Sequence, residues 1–489
     1  MDAAEFLSFL SLLAFLSPVT AISFPVTGTR RKLIESKLLK RDQLGNFGNG
    51  SLSLYNDEDV VYTCNITLGG NPFVVELDTG RRSADLWVAG DVSGTKNLSI
   101  PMQLAYGKGL VAGYINSATL GFDGFTVPDQ VYLNVVTSQG ESTSVGIIGL
   151  GPNAESSVRR LLNEGATGDP PLDRIFGQNR TTPNFISFLL SRDPIESPSP
   201  LAEQWPAQFT IGEVIPGLEG YQKLDKSSLL LIDQYGNQHW ETLLDSNGII
   251  GPDGKRISTS TSIANPCKWN QGSTALLFLI LPKDIVDEIY GRVPGAEFIE
   301  SGSSLAHDLQ GFSNFWRVPC AYELNVSFVF GGVEYPISPL DLTVDIQEYD
   351  QDRKEICIAF FQQTAANIVD NPSFGALDAV LGMAFLRNVY ILINFGDFVD
   401  GSSSSVAKPY IQLLSLSDKA SIHRDFVMAR LGGVDTTGSQ SPLLPSVSST
   451  SASTSTSTTN SDPTSSQKRH SKEKTKIRYL STRLYVTAP

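Results

Sequence analysis

A mostly β fold is predicted by three features of the sequence. Apolar runs are short, alternate with polar residues and are rich in Val, Ile, Phe and Tyr, as in strands with one buried face. Glycine (42) and proline (27) interrupt those runs more often than a helical bundle tolerates. Helical periodicity is concentrated between Lys283 and Gly291, so from Tyr55 to about Leu416 the pattern fits many strands and turns rather than βαβ units. With 41% hydrophobic and 18% charged residues, the 489-residue chain can build a large core, and its length suggests two or three domains.

The charge balance narrows the possible partners. A net charge of −14 and a pI near 4.8 argue against nucleic acid, which calls for a basic patch. Few basic groups also mean little positive self-repulsion once carboxylates protonate, which suits an acidic medium. Phe6 to Ala21 is an apolar stretch of signal-peptide length, with Val19 and Ala21 at the small-residue positions of a cleavage site, although Asp2 and Glu5 stand where basic residues are usual. A secreted protein, extracellular or in the cell wall, is therefore expected, with residues 1–21 as signal peptide. The stretch is shorter than the roughly 18 residues that span a bilayer, and no later one reads as a membrane anchor.

Residues 22–41, ending in Leu39-Lys40-Arg41, have the form of a short propeptide with a dibasic processing site. Asn49, Asn65, Asn97, Asn179 and Asn325 begin N-glycosylation sequons. Four cysteines, Cys64, Cys267, Cys320 and Cys357, in an oxidising compartment imply at least one disulfide, and spacing alone allows three pairings. Residues 434–467 are dominated by Ser and Thr and read as a disordered stalk, followed by a basic tail at 468–489 that lacks the apolar end of a GPI signal. No metal-ligand cluster is visible, and no cofactor is expected.

Chemistry concentrates in the first third of the chain. Val74-Val75-Glu76-Leu77-Asp78-Thr79-Gly80 reads as a strand that delivers Asp78 into a tight turn opened by Gly80, and Asp85-Leu86-Trp87-Val88 follows. Leu104-Ala105-Tyr106-Gly107 sets an aromatic beside a glycine, and Val145-Gly146-Ile147-Ile148-Gly149 has the form of a buried strand ending in glycine. In this order the motifs resemble the pepsin-like aspartic protease family, in the form of secreted fungal aspartic endopeptidases. The resemblance continues through Pro206 to Glu213, Leu281 to Val286, Trp316 to Cys320 and Val380 to Tyr390, covering about residues 55 to 433.

The resemblance implies a bilobal fold with a deep cleft between two β-rich lobes, at 55–213 and 214–433. It implies protein or peptide substrates, a monomer, Asp78 as a catalytic carboxylate, Tyr106 and Gly107 as a flap over the peptide, and a partnership of Tyr106 with Trp87. It also implies a Cys320–Cys357 bridge and leaves Cys64 and Cys267 unassigned. The family's reaction uses two carboxylates sharing one proton: one deprotonates a water that attacks the peptide carbonyl, and the other protonates the carbonyl oxygen.

Two departures stand against this. The second Asp-Ser/Thr-Gly turn is expected just before Leu281-Pro282, where the chain reads Gly272-Ser273-Thr274-Ala275-Leu276-Leu277-Phe278-Leu279-Ile280. The flanking segments are joined directly at Leu277 and Phe278, and the aspartate is missing. Asp245, in Leu244-Asp245-Ser246-Asn247-Gly248, and Glu300, in Glu300-Ser301-Gly302, are the nearest imitations, one too early and the other after the helix. The first turn also carries two added residues, with Arg81 in place of the supporting serine. Two readings follow: an aspartic endopeptidase whose written sequence lacks a short piece, as a misdrawn intron boundary would produce, or a pseudo-protease that binds peptides without cutting them. A third, a structural surface glycoprotein, rests on the Ser/Thr tail and the sequons and accounts for neither flap nor Trp87.

Overall fold

Alternating side chains and glycine-marked turns produce the expected strands in the computed structural model. It describes residues 51–53, 55–57, 61–80, 84–106, 110–139, 145–153, 156–163, 165–178, 183–192, 207–215, 218, 240–258, 267–270, 279–300, 314–349, 355–363, 379–396 and 409–446. The expected signal peptide and propeptide, Asn49, Arg81, Gly107, Asn179, the Leu277–Phe278 join and the basic tail lie outside the described residues.

The first half contributes β1 (Ser51–Ser53), β2 (Tyr55–Asp57), β3 (Val61–Leu68), β4 (Asn71–Asp78), β5 (Leu86–Ala89), β6 (Lys96–Ala105), β7 (Leu110–Phe122), β8 (Phe125–Gln139), β9 (Gly146–Gly149), α1 (Ser157–Leu161), α2 (Pro171–Gln178), β10 (Phe185–Leu189) and β11 (Gln208–Ile211). Eight of these strands form one sheet in the order β2-β3-β4-β9-β5-β8-β7-β6. The β7–β8 hairpin turns at Asp123 and Gly124, both at positive φ (50° and 76°), the conformation an Asp-Gly pair supports best. At Gly146 a Cβ would lie 2.5 Å from the Trp87 carbonyl oxygen, so only glycine lets β9 pass this close behind β5.

The second half contributes β12 (Glu241–Leu244), β13 (Ile249–Ile250), β14 (Arg256–Ile257), β15 (Cys267–Asn270), β16 (Leu279–Leu281), α3 (Lys283–Tyr290), β17 (Glu297–Ile299), β18 (Phe315–Pro319), β19 (Val326–Phe330), β20 (Val333–Ile337), β21 (Thr343–Tyr349), β22 (Glu355–Ala359), β23 (Phe361–Gln363), β24 (Ala379–Val380), α4 (Met383–Leu386), β25 (Val389–Asn394), β26 (Tyr410–Ser415) and α5 (Lys419–Arg430). Three sheets, β12-β15-β24-β16-β23, β14-β13-β19-β20 and β17-β18-β22-β21, build this lobe. Helix α3 follows Pro282 where the periodicity predicts it, burying Ile285, Val286, Ile289 and Tyr290.

The two lobes are stitched by a sheet ordered β1-β11-β10-β25-β26, in which β10 of the first half pairs antiparallel with β25 of the second, from Phe185 opposite Asn394 to Leu189 opposite Tyr390. All of β10 is buried, so both its faces carry apolar weight. The fold is mostly β and two-lobed, with a continuous apolar core drawing on both halves.

Cys320 and Cys357 are bonded to each other, closing a separation of 37 residues. The chain-entropy account of such a loop gives about 4 kcal/mol of stabilisation. Cys64 is a free, buried thiol, pushed up to about 12 by burial and secondarily by Asp123, which makes it a core side chain rather than a nucleophile. Beyond α5 the chain continues as a strap along the second lobe, with a short 3-10 turn at Thr437–Ser439. The compact unit extends to Pro445.

Candidate active site

β4 runs parallel to β9, and its register sets Leu77 opposite Ile148 and Asp78 opposite Gly149. The strand therefore ends with Asp78 buried at 6% exposure and Thr79 at 3%. The Leu150 N–H donates to the Asp78 carbonyl at 2.8 Å, and the Gly80 N–H donates to Asp78 Oδ1 at 2.7 Å. A carboxylate accepting a backbone N–H two residues on is the tight turn that the Asp-Thr-Gly sequence favours.

The far end of the loop is held by a residue to which sequence reasoning gave no role. Asp85 accepts from the Gly149 N–H at its carbonyl (3.0 Å), and its carboxyl accepts from Ser156 Oγ (2.6 Å) and the N–H groups of Ser157 (2.9 Å) and Val158 (3.1 Å). Burial pushes its carboxyl above the ordinary value, while those three donors oppose the shift. Asp85 thus clamps the loop to β9 and to the start of α1. A polar residue directly before the apolar Leu86-Trp87-Val88 run was the signal for it.

β5 pairs antiparallel with β9 and parallel with β8, which buries Trp87 against Leu104, Ile115, Leu133 and Ile147. The Trp87 Nε1–H donates to the Tyr106 hydroxyl at 2.8 Å, with Tyr106 at the end of β6. One sheet therefore carries Asp78, Trp87 and Tyr106.

The second lobe repeats the strand arrangement. β15 is parallel to β24, β24 is antiparallel to β16, and β16 is parallel to β23, matching the senses of β4, β9, β5 and β8. In the first lobe the connection between the strands flanking the central one carries the Asp78 turn. In the second, residues 271–278 make it, Gln271-Gly272-Ser273-Thr274-Ala275-Leu276-Leu277-Phe278, with no carboxylate.

The strand parallel to β24 is Cys267–Asn270. Two strands of opposite direction flanking a third must be joined by a loop.

The two imitations are placed elsewhere. Asp245 caps the β19–β20 hairpin, its carboxylate accepting from the N–H groups of Gly331 and Gly332, both at 2.8 Å. Glu300 is exposed at the end of β17, in a different sheet from β15 and β16. Among the described residues the one metal-like grouping, Cys320, Asp345 and Cys357, has its two sulfurs bonded to each other. No described helix is long and apolar enough to cross a membrane.

A buried polar network links the halves behind this region. Arg192, following β10, donates to Asp341 and to Asn388 Oδ1 (2.9 Å), and Arg387 Nε donates to Asp341 Oδ1 at 2.7 Å. Asn388 also donates to Asp341 (2.8 Å) and accepts from the Ser338 N–H (2.9 Å).

Comparison with known proteins adds an independent line. The family model described as eukaryotic aspartyl protease matches residues 235–401, the half containing the connection without a carboxylate. The chain is 25% identical over 409 residues to Major aspartyl peptidase 1 of Cryptococcus neoformans var. grubii, covering 78% of each chain. It is 31% identical over 148 residues to Secreted aspartic protease 4 of Candida albicans, covering 24% of this chain and 34% of that one. Against Vacuolar protease A of Neurospora crassa the identity is 21% over 398 residues, covering 76% of this chain and 85% of the other.

Proposed function

Since this chain belongs to the pepsin-like aspartic protease family, we propose that it is an aspartic endopeptidase that takes an extended peptide beneath the Tyr106 hairpin and hydrolyses it at acid pH, with Asp78 as one of its two carboxylates. The observation that carries this reading is the Asp78 turn: a buried carboxylate closed on its own Gly80 N–H and backed by Leu150. The reaction is water addition to the peptide carbonyl. One carboxylate takes the water's proton as its oxygen bonds to carbon, and the other, protonated, donates to the carbonyl oxygen. Breakdown of that adduct expels the amine, which takes up a proton as the C–N bond breaks.

One carboxylate cannot hold both protonation states at once, so hydrolysis requires a second. The sequence as written, with no Asp or Glu from Gln271 to Phe278, does not provide it in that connection. The same absence favours the second reading, a pseudo-protease. Affinity for an extended peptide comes from backbone hydrogen bonds and side-chain pockets, neither of which needs the missing aspartate.

Sequencing the transcript across codons 277 and 278 separates the two readings. An inserted Asp-Ser/Thr-Gly turn is expected for the enzyme, and uninterrupted reading from Leu277 to Phe278 leaves the pseudo-protease. At the protein level, the chain with that turn restored is expected to cleave a denatured protein at acid pH and to lose that activity with Asp78→Asn. Cleavage by the chain as written, abolished by the same substitution, would overturn the requirement for the second turn. Secretion through the Phe6–Ala21 segment, removal of residues 22–41 and glycosylation at the sequons belong to this proposal, as does a monomeric state.

A further inference from the structure

His423, the single histidine among the described residues, lies on α5 between two carboxylates from separate segments. Its Nδ1 is 2.9 and 3.0 Å from the two oxygens of Glu323, in the turn behind β18, and its Nε2 is 3.2 Å from Asp435 Oδ2, beyond the helix. Both partners are acceptors, so both nitrogens must donate. A neutral imidazole has one N–H, and only the imidazolium satisfies both carboxylates at once.

Around this point the chain after α5 is tied down mostly by polar contacts. Gln440 bonds the backbone of Glu323 in both senses, accepting from its N–H and donating to its carbonyl, each at 3.2 Å. The Tyr322 hydroxyl donates to the Ser441 carbonyl (3.0 Å), the Leu444 N–H donates to the Arg292 carbonyl (2.7 Å), and Arg292 Nε donates back to the Leu444 carbonyl (2.9 Å). Leu443 packs partly on the core, whereas Val434 and Leu444 are exposed. A strap with so little apolar burial depends on its polar anchors.

The other charged groups on and around α5 are engaged elsewhere. Lys419 pairs with Glu334 of β20 (2.7 Å), Arg430 with Asp345 of β21 (3.6 Å), and Arg424 with the Ser421 hydroxyl (3.4 Å). Asp425 is buried on the helix itself. In a second 3-10 turn, Pro339–Asp341, packed against it, Asp341 is taken by Arg192 and Arg387, while Arg292, under the strap, pairs with Asp253 and Glu288. Among the described residues His423 is the cation paired with Glu323 and Asp435.

We propose that His423 is a proton-operated latch: as imidazolium it fastens the strap 434–444 to the second lobe, and loss of its proton releases the strap. The hydrogen bond to Glu323 first, with Asp435 adding, holds the imidazole above its ordinary value despite partial burial. A raised folded-state value means that the latch contributes fully below the unfolded pKa of about 6.5 and is lost as pH rises through the folded one.

Amide hydrogen exchange on the full chain at about pH 5 and about pH 8, corrected for intrinsic rates, tests this. Protection at Leu444, Gln440 and Glu323 is expected at the lower pH. It should fall at the higher pH by about tenfold for each pKa unit by which folding raises the imidazole. His423→Gln is expected to exchange quickly at both pH values, and Asp435→Asn to show a smaller pH difference than wild type. An NMR titration of the His423 ring, independent of any variant's folding, is expected to give a midpoint above the ordinary histidine value. Equal strap exchange at both pH values, a pH difference that survives His423→Gln, or a loss of protection spread evenly over both lobes would each overturn the latch.

Discussion

Asp123 and Asp173 in the first lobe and Asp341 in the second show opposite ways of burying a carboxyl group. In the first lobe Asp85, Asp123 and Asp173 are buried without a bonded arginine or lysine. Burial pushes Asp123 up to about 7 and Asp173 up to about 8, and it raises Asp85 as well. In the second lobe Asp341 is just as buried, and burial alone would raise it, but the guanidiniums of Arg192 and Arg387 outweigh that and hold it below the usual carboxylate range. Asp123 and Asp173 are tolerated by holding their protons to higher pH, Asp341 by being kept ionised and paired. The sign of the pH dependence follows. Asp123 and Asp173 contribute fully below their unfolded values near 4, and that contribution is lost as pH rises through about 7 and about 8 respectively. Asp341 contributes above its unfolded value and loses its contribution as pH falls through the folded one.

The sharpest way to break the contrast is to remove a cation from the second lobe. Arg387→Met leaves Asp341 buried with one of its two guanidiniums gone, and breaking a buried ion pair costs about 3–5 kcal/mol. Urea unfolding near neutral pH is expected to show that loss. Adding Asp341→Leu is not expected to recover it, because the buried Arg192 guanidinium then loses its carboxylate as well. A denaturation midpoint unchanged by Arg387→Met would mean that the network stabilises nothing.

In the first lobe the corresponding change is expected to stabilise. Asp173→Asn keeps an oxygen to accept from Asn153, whose Nδ2 lies 2.6 Å from Asp173 Oδ1, and removes a group that must otherwise ionise in a buried place. The gain should be absent at about pH 4 and on the order of 6 kcal/mol above about pH 8, with Asp123→Asn somewhat smaller. Thermal melting at the two pH values reads it, and an equal effect at both would sink the assignment.

What the sequence made legible follows the same division between near and far. The Asp78 turn, β9 with its obligatory glycine and the α3 helix are written in contiguous residues, and each depends on local geometry. The Cys320–Cys357 bridge and the Trp87–Tyr106 bond came from motif order across the family rather than from spacing. Nothing local marks Arg192 for Asp341, 149 positions away, or Glu323 for His423, 100 away, because both pairings arise only when separate segments pack together. Asp245 looks from its neighbours like a site residue or a plain turn, and its role as cap of a hairpin 86 and 87 residues on is invisible without the fold.

The smallest expected effect lies at the Tyr106 hydrogen bond, and it asks how far the first lobe's half of the cleft is built in advance. Tyr106→Phe removes the acceptor of the Trp87 indole and keeps the ring against its apolar neighbours, so the cost should be about 1 kcal/mol, typical of one hydrogen bond. Trp87 remains buried, and its emission is expected to shift little while unfolding moves slightly to lower denaturant. Affinity for an extended peptide should fall several-fold if that bond holds the hairpin ready for ligand. A large loss of stability with unchanged affinity would instead make Tyr106 a core residue of the first lobe, and the readiness of the cleft would then rest on the Asp85 clamp.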